Sequence, residues 1–210
     1  MLAGGVAHVA GTPTQSVTIA ELAGSGGDQL VASGSGEPEP YPEVEARCVG
    51  DHYVGAWVAP QFSCHAAHVR VDRDTGVARV LRVGAAHDSG TIIHPMGALG
   101  QIEGGVMMGI GQALTEITRY DDQGNQRNAG LLEYKLQTAA DLPEVSVTFI
   151  DPGEGGIGPR GSKGLAEAPN VTTAAAINNA ITKVIGSPVR QLPMTAERVW
   201  SVANGIEAAQ

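Results

Sequence analysis

Glu167 has the setting in this sequence that most invites chemistry. It stands near the end of Gly153-Glu-Gly-Gly-Ile-Gly-Pro-Arg-Gly-Ser-Lys-Gly-Leu-Ala-Glu-Ala-Pro-Asn170, a glycine-dense loop that leads into the start of a helix. A helix start offers unpaired backbone N–H groups and the positive end of the peptide dipole. A carboxylate presented there on a shaped loop can act as a general base. It can equally do no more than complement the dipole, worth about 0.3–1 kcal/mol. The pattern alone leaves both readings open. Lys163 brings a positive charge to the same loop. The glycine spacings do not form a dinucleotide fingerprint, because no strand–turn–helix unit with a downstream acid accompanies them.

Other reactive side chains carry less. His65 and His68 are three residues apart, with His87 and His94 further along. On a strand, that spacing sends His65 and His68 to opposite faces, which disfavours joint metal ligation. Cys64 and His65 are adjacent, and adjacent residues seldom converge on one nucleophilic site. Ser162 has no plausible base and orienter nearby in the sequence.

The elements that must hold these residues can be read from periodicity. Ala66–Val71 and Val77–Val83 are apolar or alternating runs around Asp72-Arg-Asp-Thr-Gly76, the pattern of a β-hairpin. Val69 and Val71 should face one side, with His68, Arg70 and Asp72 on the other. Ile102, Val106, Ile110, Leu114 and Ile117 recur at helical spacing and predict a helix over 98–119. Gly104, Gly105, Gly109 and Gly111 lie inside it, each costing about 1 kcal/mol against Ala. They imply either tight packing against another backbone or a large rigid ligand pressed on the helix. Asp121–Gly124 reads as a turn. Leu131–Thr138 and Val145–Ile150 read as strands. A helix is expected over 170–185 with Asn170 as N-cap, and a last one from Thr195 with Glu197 in its first turn. Val17–Leu22 could be a strand or a short helix. Strands and helices mix without a βαβ rhythm, so the fold class is α+β, a mixed sheet with packed helices. Residues 1–50, rich in Gly, Ser and Pro, read as a loosely ordered extension or linker, and 51–210 as the main domain.

Composition narrows the functions. The chain has 210 residues, 13 Lys and Arg against 22 Asp and Glu, and a net charge of −9. That length supports a real core, and the acidic balance argues against nucleic acid or an anionic membrane as a partner. Two cysteines, with no Cys-x-x-Cys pair, leave no evident disulfide scaffold, zinc ribbon or iron–sulfur site. No apolar run reaches the ~18 residues a membrane span needs, and no basic segment opens a leader, so a cytoplasmic protein is the default. The 29 glycines are about twice the usual share. They cluster in residues 1–50, between Gly84 and Gly111, and between Gly153 and Gly164.

Three segments, taken together, resemble one family. Ala85-Ala-His-Asp-Ser-Gly-Thr-Ile-Ile-His-Pro95 followed by Gly100-Gln-Ile-Glu-Gly-Gly-Val-Met-Met-Gly-Ile-Gly111 is similar to a signature of the xanthine dehydrogenase/aldehyde oxidase family, in the C-terminal part of its large, molybdopterin-binding subunit. Gly161-Ser-Lys-Gly-Leu-Ala-Glu-Ala-Pro169 resembles the loop carrying that family's catalytic glutamate. His68–Gly76 resembles the preceding hairpin, and Leu192–Val199 the C-terminal helix. The order and spacing match over most of residues 50–200.

The resemblance implies a molybdenum-cofactor-binding domain and a molybdenum-dependent hydroxylase that oxidises an aldehyde or N-heterocycle with oxygen from water. Glu167 would be the base toward molybdenum-bound hydroxide. Gln101 would hydrogen-bond the cofactor, and Lys163 and Gly164 would shape the loop beside it. No side chain would ligate the metal, which the cofactor itself holds. Iron–sulfur clusters and FAD would sit on partner chains. Ala166 stands where many relatives have Gly, and His94 where Asn is common. The family's subunit is several times longer than this chain, and the segments forming the other half of its pocket are absent. The resemblance therefore implies a half-site completed by a longer molybdopterin-type chain, with an iron–sulfur subunit and a flavin subunit, or else a fragment. A homodimer through an exposed apolar face is also open. The competing expectation is a scaffold or assembly domain that keeps the fold without the cofactor.

Overall fold

The computed structural model describes residues 2–3, 5–9, 11–25, 47–49, 52–54, 61–150 and 159–206. Residues 1–37 and 38–210 are two units. In the first, β1 (Leu2–Ala3), β2 (Val6–Val9) and β3 (Thr12–Thr18) form an antiparallel sheet in that order, and α1 (Ile19–Ser25) follows directly. The stretch Val17–Leu22 is thus strand to Thr18 and helix from Ile19. The change is marked by Thr18, whose hydroxyl accepts from the Glu21 amide at 3.1 Å while Glu21 accepts from the Thr18 amide at 2.9 Å. Most of the Gly/Ser/Pro-rich linker reading falls outside the described residues, as do Gly153–Gly158 of the carboxylate loop.

In the second unit, β4 (Arg47–Val49) and β5 (His52–Val54) pair antiparallel. The sheet that matters for function joins β6 (Phe62–Val71), β7 (Ala78–Asp88) and β8 (Glu144–Phe149). Strands β6 and β7 are the expected hairpin, longer than the periodicity alone marks out, with a register shift between His68 and Val69. At its turn Asp72 accepts from the amides of Asp74 and Thr75, and Gly76 takes φ +74°. Along β6 the odd-numbered side chains turn inward, so His65, Val69 and Val71 face the core side while Cys64, His68 and Arg70 are exposed. Strand β8 joins β7 in parallel, which makes the sheet mixed, as the α+β expectation requires.

Two long helices pack together beside this sheet, α2 (Pro95–Leu114) and α3 (Ala168–Ile185), with α4 (Ala196–Ala203) closing the chain. The core is built from Val83 and Ala85 of β7, Ile102, Val106 and Ile110 of α2, Ile177 and Ile181 of α3, and Val199 of α4. These are the stripe positions that helical periodicity selects.

Boundaries differ in instructive ways. Helix α2 starts at Pro95 because His94 Nδ1 accepts from the Gly97 amide at 2.7 Å and Pro occupies the first turn, so the uncommon His94 serves as the cap. It stops at Leu114, short of Ile117, where Thr115 turns its hydroxyl to the Lys135 carbonyl at 2.8 Å. Helix α3 is capped by Glu167 rather than Asn170, because Pro169 fits the first turn and pulls the start forward. It ends at Gly186 in the left-handed conformation. Thr195 caps α4 as expected. No strand forms over Leu131–Thr138. Tyr134 and Glu133 turn back onto the Gly130 carbonyl, and Leu131 and Leu132 are 78% and 81% exposed. Their apolar character finds no pairing strand there.

Candidate active site

The carboxylate loop is stitched to the end of β7. The Lys163 amide donates to the Ser89 carbonyl at 2.9 Å, and the Thr91 amide to the Gly161 carbonyl at 3.0 Å. Gly90, at φ +61°, has no room for a Cβ, which would strike the Gly161 carbonyl. Arg160 adopts φ +60° next to Gly161 at φ +79°, so the loop turns sharply just before the stitch. A nearly buried ion pair locks it, with Lys163 Nζ donating to Asp88 Oδ2 at 2.6 Å and side chains only 10% and 11% exposed. Burial acts to raise the Asp88 pKa. The Lys163 hydrogen bond, the Gly90 amide and the Lys163 charge together outweigh it and hold the carboxyl below its ordinary value. Asp88 is the partner that sequence reasoning missed. Its only sequence signal is a carboxylate following the inward alternation of β7.

Gln101 lies on α2 where it meets the same loop. Its Nε2 donates to the Ala166 carbonyl at 2.6 Å, one residue before Glu167. The two motifs, 65 residues apart in the chain, therefore meet through this bond. Glu167 is exposed at the start of α3 and makes no side-chain capping bond to the first-turn amides. The helix-dipole reading thus lacks the hydrogen bond that would strengthen it, and the carboxylate is presented outward. Gly164 is exposed, and a Cβ there would lie 3.3 Å from Gln61 Oε1.

A cleft of about 360 Å³ opens between these elements, lined by Ser89, Ile93, His94, Gln101, Ser162, Lys163 and Leu165 among others. Gln101 and Lys163 both line it. Glu167 follows Leu165 by two residues and does not. Larger cavities of about 680 Å³, beside Arg70, Arg79 and Lys135, and about 620 Å³, beside Asn170, Asn178 and Arg190, hold none of the expected site residues.

The glycines of α2 divide between the two readings. A Cβ on Gly105 would lie 2.6 Å from Pro169 Cβ, and one on Gly109 would lie 2.5 Å from Thr173 Cβ, so these two let α3 approach. That is the packing reading. Gly100 and Gly104 have nothing within 4 Å.

Among the described residues no three His, Cys, Asp or Glu side chains come together to hold a metal ion. His65 and His68 diverge as strand alternation dictates, and Cys64 points away from His65. His65 instead meets His87 across the hairpin, Nε2 to Nε2 at 2.8 Å.

The family model described as molybdopterin cofactor-binding domain matches residues 2–143. The putative xanthine dehydrogenase molybdenum-binding subunit of Escherichia coli is 38% identical over 145 residues, covering 67% of this chain and 19% of that protein. The carbon monoxide dehydrogenase large chain of Afipia carboxidovorans is 30% identical over 201 residues, covering 94% of this chain and 24% of that one. The crystal structure of quinoline 2-oxidoreductase from Pseudomonas putida superposes with a TM-score of 0.69 at 27% identity, covering 95% of this chain and 25% of the other. The chain belongs to the molybdopterin-binding large-subunit family of xanthine dehydrogenase and aldehyde oxidase type. It spans about a fifth to a quarter of the length of the relatives it matches.

The residues present fit such a cofactor. Ser89 Oγ is a buried polar atom with no hydrogen-bond partner, and Ser89 lines the cleft. A pterin, rich in donors and acceptors, would supply partners.

Proposed function

We propose that this chain is the C-terminal part of a molybdenum hydroxylase that oxidises an aldehyde or N-heterocycle with oxygen from water, with Glu167 as its general base. The observation that carries the reading is the Gln101 bond to the Ala166 carbonyl, which ties the first motif to the carboxylate loop. Gln101 keeps its Oε1 and flank for the cofactor, while Nε2 holds the loop. Lys163 acts through Asp88, fixing the loop's path rather than offering a free cation. The amides around exposed Gly164 would shape the loop beside the cofactor.

When bound, the molybdenum cofactor supplies the two-electron oxidation, and the electrons leave for iron–sulfur and flavin groups on partner chains. Glu167 takes up the proton released as oxygen is delivered to the substrate carbon. A base at a fixed distance needs a rigid mount, and the stitched loop provides one. The chain needs a longer molybdopterin-type chain to complete the pocket, so the chain alone is inactive. The short span of this chain against its relatives, about a fifth to a quarter of their length, supports that dependence.

The test is Glu167→Gln in the assembled enzyme. Turnover should fall about 10²–10⁴-fold, the usual contribution of a positioned base, with molybdenum content unchanged. Turnover within twofold of the parent removes Glu167 from that role. If neither the chain nor its complex holds molybdenum, the scaffold reading replaces the catalytic one.

A further inference from the structure

Behind the carboxylate loop, four groups form a chain whose direction can be worked out. Thr173 Oγ1 lies 2.7 Å from the Pro169 carbonyl and 3.0 Å from His65 Nδ1. A carbonyl cannot donate, so the single hydroxyl proton of Thr173 goes to Pro169. His65 Nδ1 must then carry a proton and donate to Thr173. The other His65 nitrogen meets His87 Nε2 at 2.8 Å, and one of these two must be the donor. If His65 donated there too, it would be an imidazolium in a site formed by buried Thr173 and fully buried His87. Burial, and then the charge of His87, push the His65 pKa down to about 4, and burial alone lowers that of His87. The neutral assignment follows: His87 Nε2–H donates to His65 Nε2, and His65 Nδ1–H to Thr173. His87 Nδ1 is left as a bare lone pair, and it is a buried atom with no partner.

The end of this chain matters because of where it lands. The Pro169 carbonyl lies two residues after Glu167, and the Ala166 carbonyl held by Gln101 lies one residue before it. The backbone of the carboxylate is therefore gripped on both sides. Thr173 cannot drift, because it is fully buried and packs where Gly109 lacks a side chain.

We propose that His65 is a positioning residue for Glu167, acting through Thr173 on the Pro169 carbonyl, with His87 fixing its tautomer. This rests on the reading of Glu167 as the base, but its test can be scored separately. Long-range proton–nitrogen NMR of the ¹⁵N-labelled chain at pH 7 should show His65 Nε2 and His87 Nδ1 as the two unprotonated nitrogens. A His65 unprotonated at Nδ1, or either ring doubly protonated, overturns the assignment.

Amide exchange then reads the grip. Thr173→Val should speed exchange at Asn170 and Val171 by roughly two- to tenfold, the loss of one hydrogen bond. Thr173→Ser should restore it. His65→Leu should match Thr173→Val, while His65→Asn, whose amide keeps a donor near the Nδ1 position, should stay near the parent. Unchanged exchange in both Thr173→Val and His65→Leu refutes the positioning role. In the assembled enzyme Thr173→Val should lower kcat with KM and molybdenum content held. A failure of the base reading would show instead as full turnover in Glu167→Gln with the exchange pattern intact.

Discussion

Helix α2 carries glycines on two faces, and the two faces have opposite neighbours. Gly105 and Gly109 lie beneath α3, where an added Cβ would strike Pro169 or Thr173. Gly100 and Gly104 look into open space, in a row with Met96 and Met108, which are 77% and 51% exposed. The same residue type therefore does two jobs on one helix. On the first face it lets two backbones close together and seats the residues behind Glu167. On the second it leaves the helix surface open between two exposed methionines. A composition count cannot separate these jobs, because the difference lies in what faces each glycine.

The largest expected effect concerns the wall that adjoins the open face. Lys163→Met leaves Asp88 buried without its cation, and breaking such a pair costs about 3–5 kcal/mol. Urea unfolding of the chain should show this as a clearly lower midpoint, and a loss under 1 kcal/mol would mean that the loop is not locked. On the packed face, Gly109→Ala forces a methyl against Thr173 and should cost about 1–3 kcal/mol despite the better helix propensity of Ala. The matching change on the open face, Gly104→Ala, should stabilise the chain by up to about 1 kcal/mol. If the two alanine variants shifted the midpoint in the same direction, the contrast between the faces would be wrong. Gly104→Ala should also lower molybdenum retention in the assembled enzyme if the cofactor approaches there.

A further effect is set by pH. The folded His65 value of about 4 lies below its ordinary 6.5, so the unfolded chain binds that proton more readily. The contribution is fully present above 6.5 and is lost as pH falls toward 4. The unfolding midpoint should be lower at pH 5 than at pH 7, and His65→Asn should narrow the gap. Asp88 does not intervene there, since its depressed carboxyl matters only below its ordinary 3.8.

Much of the fold was legible wherever local pattern and tertiary burial agree. The hairpin has alternation and a glycine turn, and α2 and α3 have stripes that become the core. Leu131–Thr138 failed because an apolar run does not by itself supply a pairing strand, and Leu131 and Leu132 stay exposed. Asn170 failed as a cap because Pro169 set the helix start earlier. At the site, the glycine-dense loop brought Lys163 and Glu167 into view, and Gln101 came only from the family resemblance. The Asp88–Lys163 clasp and the His65–His87 contact were not legible, since each joins residues whose partners are decided by register across strands and loops. Strand alternation did mark His65 as inward, which was the nearest available sign.

The turn at the far end of the hairpin has its own consequence. Gly76 lies against the start of α4, where a Cβ would collide with the Ala196 carbonyl and crowd Trp200. Strands β6 and β7 can pair as soon as both have left the ribosome, but the segment that covers their turn is made more than half a chain length later. Until then Val71, Ala78 and Val80 lack part of the cluster they pack against, which includes buried Val199. A nascent chain paused before α4 would expose that patch, so α4 acts as a seal added long after the hairpin has formed.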